Sequence, residues 1–165
     1  MATMSSGSAF EVDGAQWQSV SPKLVPVRQI GVAIGLGIPL VASVVVAIFT
    51  TPAVWAAPAV FGILLVWLLW LVPRQVRAIR YAELEDELLI RKGVLFRSMV
   101  VVPYGRMQYV DVDAGPIARS MGIAQVQLHT ASAQSDASIP GLPEAEAARL
   151  RDQLSARGEA RLAGL

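Results

Sequence analysis

The fold of this chain is decided by one apolar stretch, residues 29–73, which reads QIGVAIGLGIPLVASVVVAIFTTPAVWAAPAVFGILLVWLLWLVP. These 45 residues contain no ionisable side chain, although charged residues make up 16% of the chain. One membrane helix needs about 20 residues, because the bilayer core is about 30 Å thick. Thr50-Thr51-Pro52 divides the stretch, since proline lacks an amide hydrogen and disfavours helix at the preceding residue. The sequence therefore predicts two transmembrane helices, residues 30–49 and 53–72, joined by a tight turn.

Basic residues flank this helical hairpin on both sides, whereas the turn carries no charge. Lys23 and Arg28 precede the first helix, and three juxtamembrane arginines follow the second, at Arg74, Arg77 and Arg80. The positive-inside rule then predicts that both termini are cytoplasmic. Four tryptophans are expected to act as interfacial anchors, namely Trp17, Trp55, Trp67 and Trp70.

The predicted spans lack the chemistry of a transport path. Intramembrane transport and proton relay usually need ionisable groups, and the polar side chains here are limited to Ser43 and the threonines of the turn. Small residues allow close helix contact, so Gly31, Gly35 and Gly37 are expected to pack against the second helix.

The composition excludes several functional classes. The chain of 165 residues has no cysteine, one histidine and a net charge of +1. These numbers exclude disulfide frameworks and cysteine-ligated metals, and they disfavour a nucleic-acid partner. The sequence predicts no cofactor, no metal site and no catalytic residue. Arginine and alanine are abundant, which is typical of a GC-rich bacterial genome.

The residues outside the hairpin divide into four segments. Residues 1–29 are predicted to form an arm that is disordered and then interfacial, and residues 73–80 a basic linker. Residues 81–157 form a folded domain, and residues 158–165 a tail. Short apolar runs between turn residues predict six strands, at 81–85, 88–91, 94–102, 107–113, 124–130 and 136–139. A final helix is predicted over 143–157, with an apolar stripe of Ala147, Leu150 and Leu154.

The ordered series of strands and turns carries a resemblance. The matching stretches are YAEL (81–84), RKGVLF (91–96), VPYGRMQYVDV (102–112), GPIARSMGIA (115–124) and IPGL (139–142). From Trp17 to about Leu154, the chain resembles the membrane-flanked bacterial pleckstrin-homology (PH) domain family. The resemblance implies an α+β membrane protein: a two-helix transmembrane hairpin, then a small antiparallel PH-like β-barrel capped by the C-terminal helix. Such a barrel has seven strands, so one further strand is expected near Gln134.

The resemblance implies a binding or scaffolding module. Eukaryotic relatives that bind phosphoinositides use basic residues at the first hairpin, whereas this chain has Glu85-Asp86-Glu87 there. Three acidic residues repel a phosphorylated headgroup, which disfavours that mode of recognition.

Three polar residues are weighed as candidates for catalysis. Asp111 and Asp113 share one strand face, and His129 lies on another strand. Alternation of exposed and buried positions accounts for the two aspartates, and no motif supplies a nucleophile for His129. A structural or surface role is therefore expected for all three.

Basic residues of the domain are candidates for contact with a protein partner or lipid, against a simply solvated surface as the alternative. They are Arg91, Lys92, Arg97, Arg106 and Arg119. We predict a non-enzymatic, multi-pass protein of the bacterial inner membrane. Its PH-like domain would serve as scaffold or accessory subunit for a membrane-protein partner or complex within the lipid bilayer. The alternative is a module that senses anionic lipid.

Overall fold

The computed structural model describes residues 15–130 and 136–162. Helices and strands follow one another in the order β1 Gln18–Ser19, α1 Leu24–Ile48, α2 Ala56–Arg77, β2 Arg80–Glu83, β3 Glu87–Lys92, β4 Ser98–Pro103, β5 Met107–Asp113, α3 Pro116–Ser120, β6 Ile123–Thr130, β7 Ala137–Pro143 and α4 Glu144–Leu162. Two short 3₁₀ turns, Pro52–Trp55 and Tyr104–Arg106, lie before α2 and β5.

The two apolar helices extend beyond the predicted spans at the end nearer the sheets. α1 begins at Leu24 rather than at residue 30, and α2 continues to Arg77. Between them Thr51 is extended, with ψ of 156°, and Pro52 starts the 3₁₀ turn that leads into α2. Both helices are long and apolar enough to cross a bilayer.

The expected glycine contact between the helices is wrong. At Gly31, Gly35 and Gly37, no atom of α2 lies within 4 Å of the position where a Cβ would lie. Gln29 instead donates a hydrogen bond from Nε2 to the Leu69 carbonyl oxygen at 3.3 Å, and Ala47 is buried. Gln29 and Ala47 lie about five turns apart and so share one helix face. The face of α1 that carries Gln29 and Ala47 therefore packs against α2, and this orientation gives the side-chain amide of Gln29 a hydrogen-bond acceptor within the helix pair.

The strands form two antiparallel sheets, in the orders β1-β2-β3-β4 and β5-β6-β7. Within the described residues, these two sheets do not close into the expected barrel. Pro103, which has no amide hydrogen, ends β4, and the 3₁₀ turn follows it. The Tyr104 amide donates to the Asp86 carbonyl, which extends the pairing of β3 with β4 by one step, and after the 3₁₀ turn β5 pairs with β6 rather than with β4. At the opposite edges, a hydrogen bond of 2.8 Å runs from the Ser21 amide to the Gly141 carbonyl.

The seventh strand of the described residues lies in the N-terminal arm. β1 pairs with β2, with Gln18 opposite Tyr81, and the Tyr81 hydroxyl donates to Gln18 Oε1 at 2.7 Å. The strand expected near Gln134 falls outside the described residues. A strand of two residues is too short to produce an alternating pattern, so the sequence carried no sign of β1.

One hydrophobic core joins both sheets, α4 and the ends of the two long helices. The predicted stripe of α4 is confirmed, because Ala147, Leu150 and Leu154 are fully buried. Leu24 of α1 and Val76 of α2 belong to the same core. The apolar helices and the sheets therefore pack directly against each other, without an independent linker between them.

Candidate functional site

The two ends of β3 carry opposite charge. The β2–β3 hairpin at one end consists of Glu85, Asp86 and Glu87, and the hairpin between β3 and β4 at the other end follows Arg91 and Lys92. A strand rises about 3.3 Å per residue, so the six residues of β3 separate the two hairpins by about 20 Å. The sheet is thus acidic at one end and basic at the other.

The β3–β4 hairpin ends in three exposed apolar residues, which we call the apolar tip: Val94, Leu95 and Phe96. Their exposed fractions are 39%, 71% and 91%. The sequence predicts a strand from residue 94, but β4 begins at Ser98. Gly93 has φ of +98°, and a Cβ there would lie 1.8 Å from the Phe96 carbonyl oxygen. The turn is therefore restricted to glycine, and it projects the apolar side chains out of the sheet.

A cleft of about 260 Å³ lies between the apolar tip and the two long helices. Besides the tip residues, its lining consists of Arg28, Leu71, Gln75, Ile79, Lys92 and Gly93. We call it the tip cleft. It brings one cation of α1 and one of β3 to the same place, beside α2.

Arg28 and Lys92 both line the tip cleft, and no carboxylate of the described residues lines it with them. Lys92 Nζ donates to Ser138 Oγ at 3.3 Å. Burial lowers the pKa of Lys92, and the positive charge of Arg28 lowers that pKa further. Within residues 15–130 and 136–162, no acidic oxygen lies within 4.0 Å of either cation. The cleft is an electropositive site.

The five basic residues singled out from the sequence do not form one cluster. Lys92 lines the tip cleft, and exposed Arg97 follows the apolar tip. The Arg91 guanidinium lies over the Trp17 ring, 5.6 Å from its centroid. Arg106 is exposed in the 3₁₀ turn beyond the far end of β4, and Arg119 is exposed in α3. Contact of any of them with a partner or lipid stays a prediction.

The juxtamembrane arginines and most of the tryptophans lie on the surface of the helix pair. The Arg74 guanidinium stacks on the Trp70 ring at 3.5 Å, while Arg77 and Arg80 are exposed. Trp67 and Trp70 line an apolar groove on α2, and Trp55 is exposed at the turn between the helices. Trp17 differs because it is partly buried beside Arg91, at the edge of the first sheet.

His129 lies between two carboxylates. Its Nδ1 is 3.3 Å from Asp136 Oδ2, and its Nε2 is 3.6 Å from Asp111 Oδ2. Its ring stacks on Tyr109, with centroids 4.3 Å apart. Asp136 Oδ1 also accepts the Thr130 amide, which ties this cluster to the end of β6. Asp113 instead lines a separate cleft beside the start of α1.

Sequence reasoning missed several residues of these clusters. Tyr109 reaches His129 through the register of β5 with β6, in which the two residues pair. Asp136 reaches His129 from the other side, because it precedes β7, whose Ala137 pairs with Leu128 of β6. Arg28 was interpreted as a topology signal and the apolar tip as part of a strand. The sequence does contain one indication of the apolar tip. The Lys92-Gly93 pair is typical of a turn, and such a turn limits how soon the next strand can begin within Val94, Leu95 and Phe96.

A second polar cluster attaches α4 to the first sheet. Arg149 donates to Glu83 Oε1 at 2.7 Å and to Glu146 Oε1 at 2.6 Å. The hydrogen bond from Arg149 lowers the pKa of Glu146, against the opposing effect of burial. The Tyr81 hydroxyl oxygen also lies 3.2 Å from Glu146 Oε1, and burial raises the pKa of that hydroxyl.

Comparisons with known proteins agree with this architecture. A family model described as Bacterial PH domain matches residues 25–158. The UPF0699 transmembrane protein YdbS of Bacillus subtilis (strain 168) is 40% identical over 76 residues. These residues are 46% of this chain and 46% of that protein, so the match spans about half the length of the relative. No solved structure matches the chain.

Proposed function

The chain belongs to the bacterial PH domain family, and from this premise we propose that it is a non-enzymatic scaffold or accessory subunit for a membrane-protein partner. The match to a transmembrane relative and the two apolar helices make it a membrane protein with a PH-like domain. A PH-like fold alone does not determine a function, so the proposal depends on how this domain is attached to the helices.

The observation that carries the proposal is the direct joint between the helices and the sheets. Leu24, at the start of α1, lies against Gly141 of β7, and Ser21 donates to the Gly141 carbonyl. Val72 and Val76 of α2 are buried in the same core as the strands. A domain attached in this way keeps one orientation relative to the helix pair. Such an attachment suits a scaffold, because a partner in the same bilayer meets the same face at high effective concentration.

For the membrane placement we propose that α1 and α2 both span the bacterial inner membrane and that both termini lie in the cytoplasm. Arg74 and Arg77 in the last turn of α2 support this orientation, as does the absence of charge at the turn between the helices. We expect a reporter fused after residue 165 to show cytoplasmic behaviour. Periplasmic activity of a stable fusion would contradict the orientation.

The scaffold proposal is tested by site-specific photo-crosslinking in native membranes. Tyr109 and Val101 are exposed side chains on β5 and β4, and each is replaced by a photoreactive amino acid in the full chain. We expect a discrete protein adduct from at least one position. Ile63, which is exposed on α2, serves as the lipid-facing control. Adducts to lipid alone from all positions would contradict a protein partner.

The non-enzymatic part of the proposal needs a separate experiment. Replacing Asp111, Asp113 and His129 together with alanine removes the acid–base groups considered above. We expect the triple variant to complement a deletion strain and to keep any partner adduct. Loss of complementation by a variant that accumulates normally in the membrane would favour catalysis instead.

A further inference from the structure

We propose that the apolar tip enters the bilayer interface beside α2 and that Arg28 and Lys92 in the tip cleft bind the phosphate of an anionic phospholipid. The protein would then contact the membrane at a third point in addition to its two helices. This inference rests on the transmembrane placement proposed above. It concerns a site at the opposite end of β3 from the acidic Glu85–Glu87 hairpin.

The depth of the tip follows from its neighbours on α2. The tip cleft is lined by Leu71 and Gln75, which directly follow Trp70 and Arg74, the two residues of α2 that stack on each other. Tryptophan and arginine at the end of a membrane helix mark the interfacial level. Residues 94–96 line the same cleft and therefore lie at that level.

The exposure of the tip supports insertion. Val94, Leu95 and Phe96 form a contiguous apolar patch with almost no burial at Phe96. Contiguous exposed apolar residues mark interaction surfaces, and removal of apolar surface from water is favourable. The patch faces α2 across the tip cleft, which Leu71 of that helix also lines. Acyl chains are therefore the occupant that fits both surfaces together.

The positive charges of Arg28 and Lys92 in the tip cleft favour a lipid with an anionic headgroup. Arg28 and Lys92 line the same cleft, and neither has an acidic oxygen within 4.0 Å among the described residues. An anion between them would relieve their repulsion, and guanidinium and ammonium groups both bind phosphate oxygens. The side-chain amide of Gln75 adds a further hydrogen-bond donor to the lining. Phosphatidylglycerol is thus a suitable probe.

The depth of the tip is measured with single cysteines, which the natural chain lacks. Phe96→Cys, Ile63→Cys and Glu85→Cys variants of the full chain carry bimane and are reconstituted in nanodiscs with spin-labelled lipid. We expect the label at 96 to be quenched more by shallow 5-doxyl lipid than by deep 12-doxyl lipid. The label at 63, near the middle of α2, shows the reverse order, and the label at 85 is quenched by neither.

The depth measurement separates this inference from the proposed placement. If the label at 63 is quenched by deep lipid but the label at 96 is quenched by neither, the helices span the membrane and tip insertion is wrong. If the label at 63 is not quenched, the placement fails and the inference fails with it. A protein adduct at position 96 in native membranes, without quenching in nanodiscs, would assign the tip to a protein partner.

Headgroup binding is tested by native mass spectrometry of the full chain titrated with phosphatidylglycerol or phosphatidylcholine. We expect selective binding of phosphatidylglycerol and about a fivefold loss of affinity for each of Arg28→Gln and Lys92→Gln. Arg151→Gln, which removes an exposed cation paired with Asp152, is the matched control and leaves the affinity unchanged. Equal binding of the two lipids, or equal losses in all three variants, would overturn the headgroup site. Soluble glycerol phosphate, added at the same concentration as the lipid, should not displace phosphatidylglycerol. Displacement would show that the site binds free phosphate groups as well as lipid, which would overturn the lipid assignment.

Discussion

Replacing Gly141 with alanine tests the joint between the helices and the sheets. Gly141 has φ of +72°, which costs an L-residue about 1–2 kcal/mol. The new Cβ would also lie 2.8 Å from Leu24 Cβ and from Leu24 Cδ2. Overpacking of a core in this way costs about 1–3 kcal/mol. We therefore expect Gly141→Ala to lower the free energy of unfolding by about 2–5 kcal/mol.

The measurement is thermal unfolding of the detergent-solubilised full chain, followed by tryptophan fluorescence. At this chain length, each kcal/mol lowers the midpoint by about 2–4 °C. Gly115→Ala is the control, because Gly115 has φ of −64° and open space at its Cβ position.

A double-mutant cycle with Leu24→Ala separates the contact from the backbone strain. Leu24→Ala alone leaves a cavity, but in the Gly141→Ala background it also removes the clash with Leu24 Cδ2, while the close approach to the Cβ of residue 24 remains. We therefore expect the double variant to lose about 1–3 kcal/mol less than the sum of the single variants. If Gly141→Ala melts with the same midpoint as Gly115→Ala, the direct joint between α1 and β7 is refuted.

Two further changes probe the attachment of α4. Tyr104→Phe removes a hydroxyl that donates a hydrogen bond to the Leu84 carbonyl oxygen and accepts one from Arg157, both at 2.9 Å. We expect the free energy of unfolding to fall by about 1 kcal/mol in the same thermal assay. An unchanged midpoint would contradict this bond. Arg149→Met removes the hydrogen-bond donor that lowers the pKa of Glu146. A carboxyl group whose pKa is lower in the folded than in the unfolded chain stabilises the fold at a pH above its unfolded pKa. This stabilisation is lost as the pH falls through the pKa that the group has in the folded chain. We expect wild type to exceed the variant at pH 7 by less than about 1 kcal/mol, because the Arg149 side chain is 44% exposed, and the difference to vanish toward pH 3. Arg151→Met is the control, and a difference that persists at low pH would assign the effect to packing of the Arg149 stem.

Local patterns were sufficient to predict most of the elements. The bounds of β5 match the prediction, and the stripe of α4 is buried as expected. The charge-free stretch predicted two long helices because a run of apolar residues without interruption is itself the signal. Each of these features is decided by residues close together in the chain.

The failed predictions share a different cause. Closure of the sheets depends on whether β4 and β5 pair, and β5 instead pairs with β6 after the 3₁₀ turn at Tyr104. The rotation of α1 depends on where Gln29 finds an acceptor in α2. Neither choice is encoded in the local spacing of apolar residues, because each depends on which other strand or helix an element packs against.

The tip cleft depends both on local sequence patterns and on packing between distant parts of the chain. Lys92 was identified from its hairpin, whereas Arg28 and Gln75 join it in the tip cleft because the helices pack directly on the sheets. The same packing places the apolar tip beside α2. A change that loosens the joint at Gly141 should therefore also weaken phosphatidylglycerol binding, although Gly141 does not line the tip cleft. If Gly141→Ala destabilises the chain but leaves lipid affinity and the quenching at position 96 unchanged, the tip cleft is held by the β3–β4 hairpin and α2 alone.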